Sequence, residues 1–317
     1  MAKLDNYPLK QFLGVSNIGE PSELARNLLI RASNVDITKD AKVYRRTGRT
    51  KVVSGSFHSL FSDGKTCLAV SKGNLFRINN DYTFSSIRWN VGDNRMSYAT
   101  INEKIYYTNE TVIGFVKDGI DVTLPEPDKI FREKIFPGKL IEYYRGRLYI
   151  AKGNTIWYTD PLAYHQIDMR KNFVQLPSEC IMLRAVNDGI YVSDQKYTYF
   201  LLGKGPKDFT LTGRLFDYPA IYGTDLAMDD QAFRNIINRH NSTPKFDYRG
   251  RIAMWVGTKG ICLGLNEGRA SCITDNKYTL PAAKEGASLV RLDEIKQFIS
   301  SLGFGNETSE TIISQVN

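Results

Sequence analysis

The sequence predicts an all-β protein, a β-propeller of five or six blades with N- and C-terminal strands closing the ring. The chain has 317 residues, of which 42% are hydrophobic, with 18 Tyr, 16 Phe and 25 Gly. Its apolar runs are short and rich in β-branched and aromatic residues, and Gly, Asn or Asp residues separate them. This pattern is typical of antiparallel strands joined by tight turns. A unit of two such strands also recurs along the chain.

The recurring unit is a turn, a short strand, a second turn and another strand. Five copies carry the strand pairs TCLAV and LFRI, IYYT and TVIGFV, LYIA and TIWYT, IYVS and YTYFLL, and IAMWV and ICLGL. Gly64, Glu103, Gly146, Gly189 and Gly250 mark their first turns, at spacings of 39, 43, 43 and 61 residues. A repeat of about 40 residues made of hairpins indicates a propeller blade. A β-sandwich with coincidental spacing is the alternative.

The remaining segments give the domain organisation. Residues 1–32 are predicted to form an N-terminal arm, 33–302 the propeller, and 303–317 a polar C-terminal tail that orders only on a partner. Within 33–46 two strands flank a turn, and 287–292 and 295–302 are the last apolar runs, so strands from both ends are expected to share one blade and remove exposed edges.

Two segments interrupt the repeat. Three prolines favour an extended connector between blades over 123–139. The longest interval contains a predicted insertion at about 217–247, with a short helix that Asp229 or Asp230 would cap.

Composition excludes several classes of protein. No apolar run reaches the length of about 18 residues that a membrane span needs, and no secretory signal is evident. The four cysteines lie far apart without a CxxC motif and are expected to be reduced and mostly buried. Three histidines make a multi-histidine metal site improbable, and the formal net charge of +8 gives a moderate preference for acidic partners.

Motifs that carry chemistry are weak. Asp63-Gly64-Lys65-Thr66 resembles the end of a phosphate-binding loop, but Ser59 replaces the first glycine and the segment falls in a predicted hairpin turn. Asp225 with Asp229 and Asp230 reads as a solvated loop and helix cap in preference to a cation site. Trp157 and Trp255 fall in predicted strands and are expected in the core. We therefore predict no enzymatic activity, no cofactor and no metal site.

The most informative polar segment is residues 42–51, a basic cluster without an acidic residue. It contains five cations, which are the candidate interface or DNA-facing residues: Lys42, Arg45, Arg46, Arg49 and Lys51. Such a cluster can contact phosphates or an acidic protein surface. The alternative is a solvated edge that protects a strand from pairing. Charge reversal at Arg46 and Arg49 is expected to reduce assembly with neighbouring copies or partners while leaving the monomer folded.

The same N-terminal region resembles a family of bacteriophage and prophage structural proteins. The resemblance rests on F-x-G-x-x-N at 12–17, A-x-N-V-D-I at 32–37 and R-R-x-G at 45–48, where Thr47 stands at a position that is often proline in the family. Further matching segments are 58–64, 222–225, 260–264, 268–269 and 297–302. More distantly, the arrangement is similar to the propeller-containing tail nozzle and neck proteins of short-tailed phages.

The resemblance implies a non-enzymatic virion protein of the tail or neck that is made in the bacterial host cytoplasm. Such a protein forms a homo-oligomeric ring, contacts neighbouring tail and neck proteins, and has at most a passing contact with genomic DNA. A receptor- or glycan-binding propeller of the tail is the alternative function. An enzyme whose site is assembled from loops is a third.

Overall fold

The computed structural model describes residues 11–37, 40–48, 50–229, 250–292, 296–303 and 309–316. Over these residues the regular secondary structure is β-strand, apart from one 3₁₀ turn at Asn266–Gly268. The described residues contain no helix that is long and apolar enough to cross a membrane. The chain divides into two compact units. The central unit comprises 50–220 and 265–269, and the terminal unit comprises 1–49, 221–264 and 270–317.

The central unit contains four antiparallel sheets of four strands each over its described residues. Their strands are β5 (His58–Ser62), β6 (Cys67–Ser71), β7 (Asn74–Ile78) and β8 (Phe84–Arg88); β9 (Ser97–Ile101), β10 (Lys104–Thr108), β11 (Ile113–Lys117) and β12 (Ile120–Val122); β14 (Leu140–Tyr144), β15 (Arg147–Lys152), β16 (Thr155–Tyr158) and β18 (Phe173–Gln175); and β19 (Cys180–Ala185), β20 (Gly189–Asp194), β21 (Thr198–Leu202) and β22 (Thr210–Leu211). A short pair joins β13 (Glu133–Lys134) to β17 (Gln166–Ile167).

The terminal unit contains a fifth four-stranded sheet, a three-stranded sheet and two short strand pairs over its described residues. The four-stranded sheet has β23 (Leu226–Asp229), β24 (Arg251–Gly257), β25 (Gly260–Gly264) and β26 (Ala270–Cys272). The three-stranded sheet has β27 (Glu285–Leu292), β28 (Lys296–Gly303) and β29 (Ser309–Val316). The pairs are β1 (Gly14–Val15) with β2 (Leu28–Leu29), and β3 (Val35–Ile37) with β4 (Val43–Arg45).

Each of the five recurring hairpins forms the two middle strands of a four-stranded sheet. The reason that these strands are apolar along their whole length is visible in β10. Ile105 and Tyr107 pack in the core shared with the first sheet, whereas Tyr106, between them, packs in the core shared with the third. Successive side chains of a strand point to opposite faces, so a strand buried on both faces needs apolar residues at every position.

Strands from both ends of the chain meet in the terminal unit, but they do not share the one sheet that we predicted. The hairpin β3–β4 stays a separate pair, and the three-stranded sheet comes entirely from the C-terminal segment. Gln297 of β28 instead donates a side-chain hydrogen bond to Asp36 of β3, at 3.0 Å between Nε2 and Oδ1. Buried polar side chains thus make the connection in place of backbone pairing.

Three segment predictions need correction. The predicted tail contains β29, which pairs with β28 along its whole length, because its Thr, Ile and Val residues favour a strand despite the polar residues around them. The start of the predicted insertion contains β23, which pairs with β24, and the predicted helix after Asp229 lies outside the described residues. The connector 123–139 contains a tight turn and β13, so it is not extended throughout.

Candidate functional site

The residues of the predicted basic cluster have different surroundings. Lys42, Arg45 and Lys51 are exposed. Arg46 is largely buried, with 17% of its side chain exposed, and Arg49 lies outside the described residues. Lys51 belongs to the central unit and the others to the terminal unit. Of the four described residues, Lys42, Arg45 and Lys51 are therefore at the surface and Arg46 is not.

Arg46 holds the β3–β4 hairpin through a buried ion pair. Its Nη2 and Nε lie 2.6 and 3.1 Å from Oδ1 of Asp36, and its Nη2 also donates to the Val35 carbonyl at 3.3 Å. Burial by itself would raise the pKa of Asp36, but the hydrogen bonds from Arg46 and Gln297 lower it below its ordinary value. Arg46 is thus a structural residue, which a charge pattern read from the sequence could not distinguish from a surface cation.

Two tight turns of the central unit form a better candidate site. The first runs from Lys129 to Arg132, whose backbone N–H donates to the Lys129 carbonyl at 3.3 Å. The second runs from Asp160 to Ala163, with the corresponding bond at 3.2 Å. We call these the paired turns. We did not predict this site from the sequence.

Both turns have a bulky apolar residue where glycine is favoured. The third residues, Phe131 and Leu162, have φ values of 60° and 59°. A positive φ at this position is the mark of a type II turn, and Gly or Asn normally occupies it. For a larger side chain the left-handed conformation costs about 1–2 kcal/mol. Such strain persists only where the surrounding structure imposes it, and it is concentrated at functional positions.

The strained side chains project into solvent. Phe131 is 72% exposed and Leu162 77% exposed, and Ile130, beside Phe131 at the tip of the first turn, is 82% exposed. Three large apolar side chains held at turn tips gain little from folding, because most of their surface stays in water. Their exposure makes these side chains candidates for a contact surface.

Buried ion pairs connect the two turns. Arg132, the last residue of the first turn, places Nε 2.6 Å from Oδ2 of Asp160, the first residue of the second turn. Its Nη1 lies 3.0 Å from Oδ2 of Asp168, and Asn172 donates to the other oxygen of Asp160 at 3.1 Å. Both carboxylates are buried. The strand pair β13–β17 begins directly after Arg132 and holds the same two segments together through the backbone.

Cations and carboxylates both remain exposed beside the first turn. Arg170 binds Asp168 through Nε and Nη2, both at 2.9 Å, and its guanidinium carbon lies 4.8 Å from the centre of the Phe131 ring. Arg170 is 63% exposed and Lys171 69% exposed. Asp128 and Glu133 are exposed on the two sides of the first turn. The site therefore combines apolar tips with a cationic part around Arg170 and Lys171.

The carboxylate of Asp168 should make the stability of the protein depend on pH. The hydrogen bonds from Arg170 outweigh desolvation and lower the pKa of Asp168 far below its ordinary value. A carboxyl with a lowered folded-state pKa contributes stability above its unfolded pKa and loses it as the pH falls through the folded pKa. We expect urea unfolding midpoints to fall as the pH drops below about 4, and to fall less steeply in Asp168→Asn and Arg170→Gln. Equal slopes in all three proteins would contradict this.

Two of the tryptophans, Trp157 and Trp255, were predicted from the sequence to lie in the core. Trp255 is fully buried, as predicted, and Trp157 is half-buried between Phe136 and Phe173. The predictions left out Trp89, which is 63% exposed beside Phe76.

In the Gly-Lys-Thr turn, the backbone N–H groups of Lys65 and Thr66 donate to Oδ1 of Asp63. They are therefore already used by the turn. Among the described residues, no group of three or more His, Cys, Asp or Glu side chains is placed to hold a metal ion.

Comparison with known proteins bears on the fold. No family model and no curated protein sequence matches this chain. The WD40 domain of Neurospora crassa Pan2 matches with a TM-score of 0.50 and 15% identity, covering 82% of this chain and 75% of that one. BBS1N, solved in complex with ARL6DN, matches with a TM-score of 0.54 and 8% identity, covering 89% and 86%.

The fold is a β-propeller. The five four-stranded sheets and the three-stranded sheet over the described residues are consistent with the predicted number of blades. Likeness at 15% and 8% identity shows the fold alone. Neither propeller is a phage protein by its description, so these comparisons do not support the virion role that the resemblance over most of residues 12–302 implies.

Proposed function

We propose that the chain is a non-enzymatic structural component of a bacteriophage virion, located in the tail or neck, where it forms a ring with copies of itself and binds neighbouring tail proteins. The observation that carries this proposal is the pair of strained turns, which display Ile130, Phe131 and Leu162 on a rigid base. The propeller fold and the resemblance to phage structural proteins over most of residues 12–302 support it. The paired turns are the proposed contact with a neighbouring protein.

The chemistry of the paired turns defines what a neighbour must offer. Burial of one large apolar side chain contributes about 1.5–3 kcal/mol to association. Because the turns are already fixed by Arg132 and by β13–β17, binding does not have to order them first. Arg170 and Lys171 favour carboxylates beside the apolar contact. The partner surface is therefore an apolar pocket with acidic residues on the side that faces Arg170 and Lys171.

Repetition around a ring strengthens such a contact. A single pair of turns is small compared with the area of about 1,200 Å² or more that a stable protein interface buries. Several copies in one ring bind a common neighbour together, so that each contact raises the effective concentration of the next. Lys42 and Arg45 are exposed and could make the passing contact with DNA or with an acidic neighbour.

A receptor- or glycan-binding propeller is the second candidate function, and Trp89 favours it. The exposed Trp89 ring, the partly exposed Phe76 and the stacked pair Phe57 and Phe84 form an aromatic group on the first sheet of the central unit. The flat apolar face of an exposed aromatic ring can stack against the apolar face of a sugar ring. This group is separate from the paired turns in sequence and sheet.

The virion role is tested by the composition of purified particles. Particles produced from the genome that encodes this chain are expected to contain it in several copies per particle, measured by quantitative mass spectrometry against the major capsid protein. The copies should remain after washing with high salt, because an apolar contact is less sensitive to salt than a contact with DNA phosphates. Absence of the chain from particles, with abundant chain in the infected-cell lysate, would reject the proposal.

A further inference from the structure

Two of the four cysteines face each other across neighbouring strands of the terminal unit. Cys262 in β25 is directly opposite Cys272 in β26. The backbone N–H of Ile273 donates to the Ile261 carbonyl at 2.8 Å, so that pair is hydrogen-bonded and the adjacent cysteine pair is not. At such a position the two Cα atoms are about 4.5 Å apart and the side chains are close together.

This spacing is compatible with a disulfide bond. Disulfides join Cα atoms that are about 4.4–6.8 Å apart, so the cysteine pair lies at the short end of the range. Opposite residues of an antiparallel pair point to the same face of the sheet. The two sulfur atoms can therefore meet without a change in strand register.

The surroundings leave room for the sulfur atoms, and one of the two cysteines is partly accessible to solvent. A β-carbon added at Gly260 would lie 2.6 Å from Sγ of Cys272, so the glycine leaves this space to the thiol. Trp255 lies opposite Cys262 in β24, and both are fully buried. Cys272 is only half-buried and is therefore the thiol that a dissolved oxidant reaches first.

We propose that Cys262 and Cys272 form a redox-active thiol pair that closes to a cross-strand disulfide with low-molecular-weight disulfides such as oxidised glutathione. The thiolate of Cys272 attacks one sulfur of the oxidant, whose S–S bond breaks and releases one glutathione. Cys262 then loses its proton and attacks the Cys272 sulfur, which releases the second glutathione. Two protein thiols lose two electrons, and one disulfide is reduced to two thiols.

The bond is expected to respond to its surroundings. It stays open in a reducing cytoplasm and closes in oxidising surroundings. A virion released from its host makes this change of surroundings, although the chemistry of the pair does not depend on the virion role. Closure would fix the edge strand β26 to β25.

The experiment treats the folded full-length chain with oxidised glutathione and follows thiol titration and peptide mapping without reduction. The thiol count is expected to fall from four to two, with a bond between the peptides that contain Cys262 and Cys272. Cys67→Ser is the matched control, because Cys67 is also half-buried, and it should form the same bond. Cys262→Ser should instead accumulate glutathione on Cys272.

Three results would overturn the proposal. The wild type could keep all four thiols while a urea-unfolded sample reacts, which would show that the folded pair is inert. Glutathione could accumulate on Cys272 in the wild type without closure, which would show that the sulfur atoms cannot meet. A bond that involves Cys67 or Cys180 would assign the reactivity elsewhere. All three results are measured on the isolated protein, so they do not depend on the outcome of the experiment that tests the virion role.

Discussion

Arg46→Glu is expected to lower the free energy of unfolding by about 3 kcal/mol, whereas Arg45→Glu should change it by less than about 0.5 kcal/mol. The two arginines are adjacent in sequence and differ in their surroundings. Arg46 pairs with the buried carboxylate of Asp36, and the glutamate would place a second carboxylate against it. Arg45 is exposed at the end of β4.

Urea unfolding of the two variants, with Arg46→Lys as a third, measures this difference. Arg46→Lys keeps the charge but loses the two-point contact with Asp36, so its stability should lie between those of the other two variants. Equal stability of Arg45→Glu and Arg46→Glu would show that the ion pair contributes nothing. From the sequence we expected charge reversal at Arg46 to leave the monomer folded. The contact with Asp36, which the sequence did not show, changes this expectation to a loss of stability.

Replacement of both turn tips, Phe131→Gly with Leu162→Gly, is expected to reduce incorporation into particles at least about tenfold. Loss of two apolar anchors removes about 3 kcal/mol or more of association, and each 1.4 kcal/mol corresponds to about tenfold in affinity. The same change should leave the stability of the isolated chain equal or up to about 1 kcal/mol higher, because glycine adopts a positive φ without strain. Binding and stability therefore move in opposite directions.

Tyr82→Gly is the matched control for this variant. Tyr82 is also a large, exposed residue with a positive φ, at 55% exposure and 63°, but it lies in the turn between β7 and β8 of the first sheet. Particle incorporation, measured by mass spectrometry, should equal the wild type for Tyr82→Gly. Normal incorporation of the double variant would show that the paired turns make no essential contact. A double variant that unfolds in isolation would show that Phe131 and Leu162 stabilise the fold.

The hairpins were predictable because their signals are local. A turn with Gly, Asn or Asp and two apolar runs lie within about 15 residues of each other, and each of the five recurring hairpins forms the middle of a sheet. The outer strands were harder to predict. Strands such as β12, β18 and β22 have two or three residues and at least one polar or exposed position each, so they give no periodic pattern.

The candidate site was missed because it depends on contacts between distant residues. Arg132 and Asp160 are 28 positions apart, and no sequence pattern joins them. Phe131 and Leu162 resemble ordinary core residues, since a turn signal relies on glycine or asparagine at the position that they occupy. The Asp160-Pro161 dipeptide was the one usable signal, because it favours a turn. It indicates the turn but not the exposed leucine that follows.

A cryo-electron microscopy map of the intact particle tests the proposed interface most directly. The map is expected to show copies of this propeller in a ring in the tail or neck. Density of a neighbouring protein should cover Phe131 and Leu162, with carboxylates of that protein facing Arg170 or Lys171. A ring in which the paired turns of every copy face solvent, or a particle without the chain, would contradict the proposed interface.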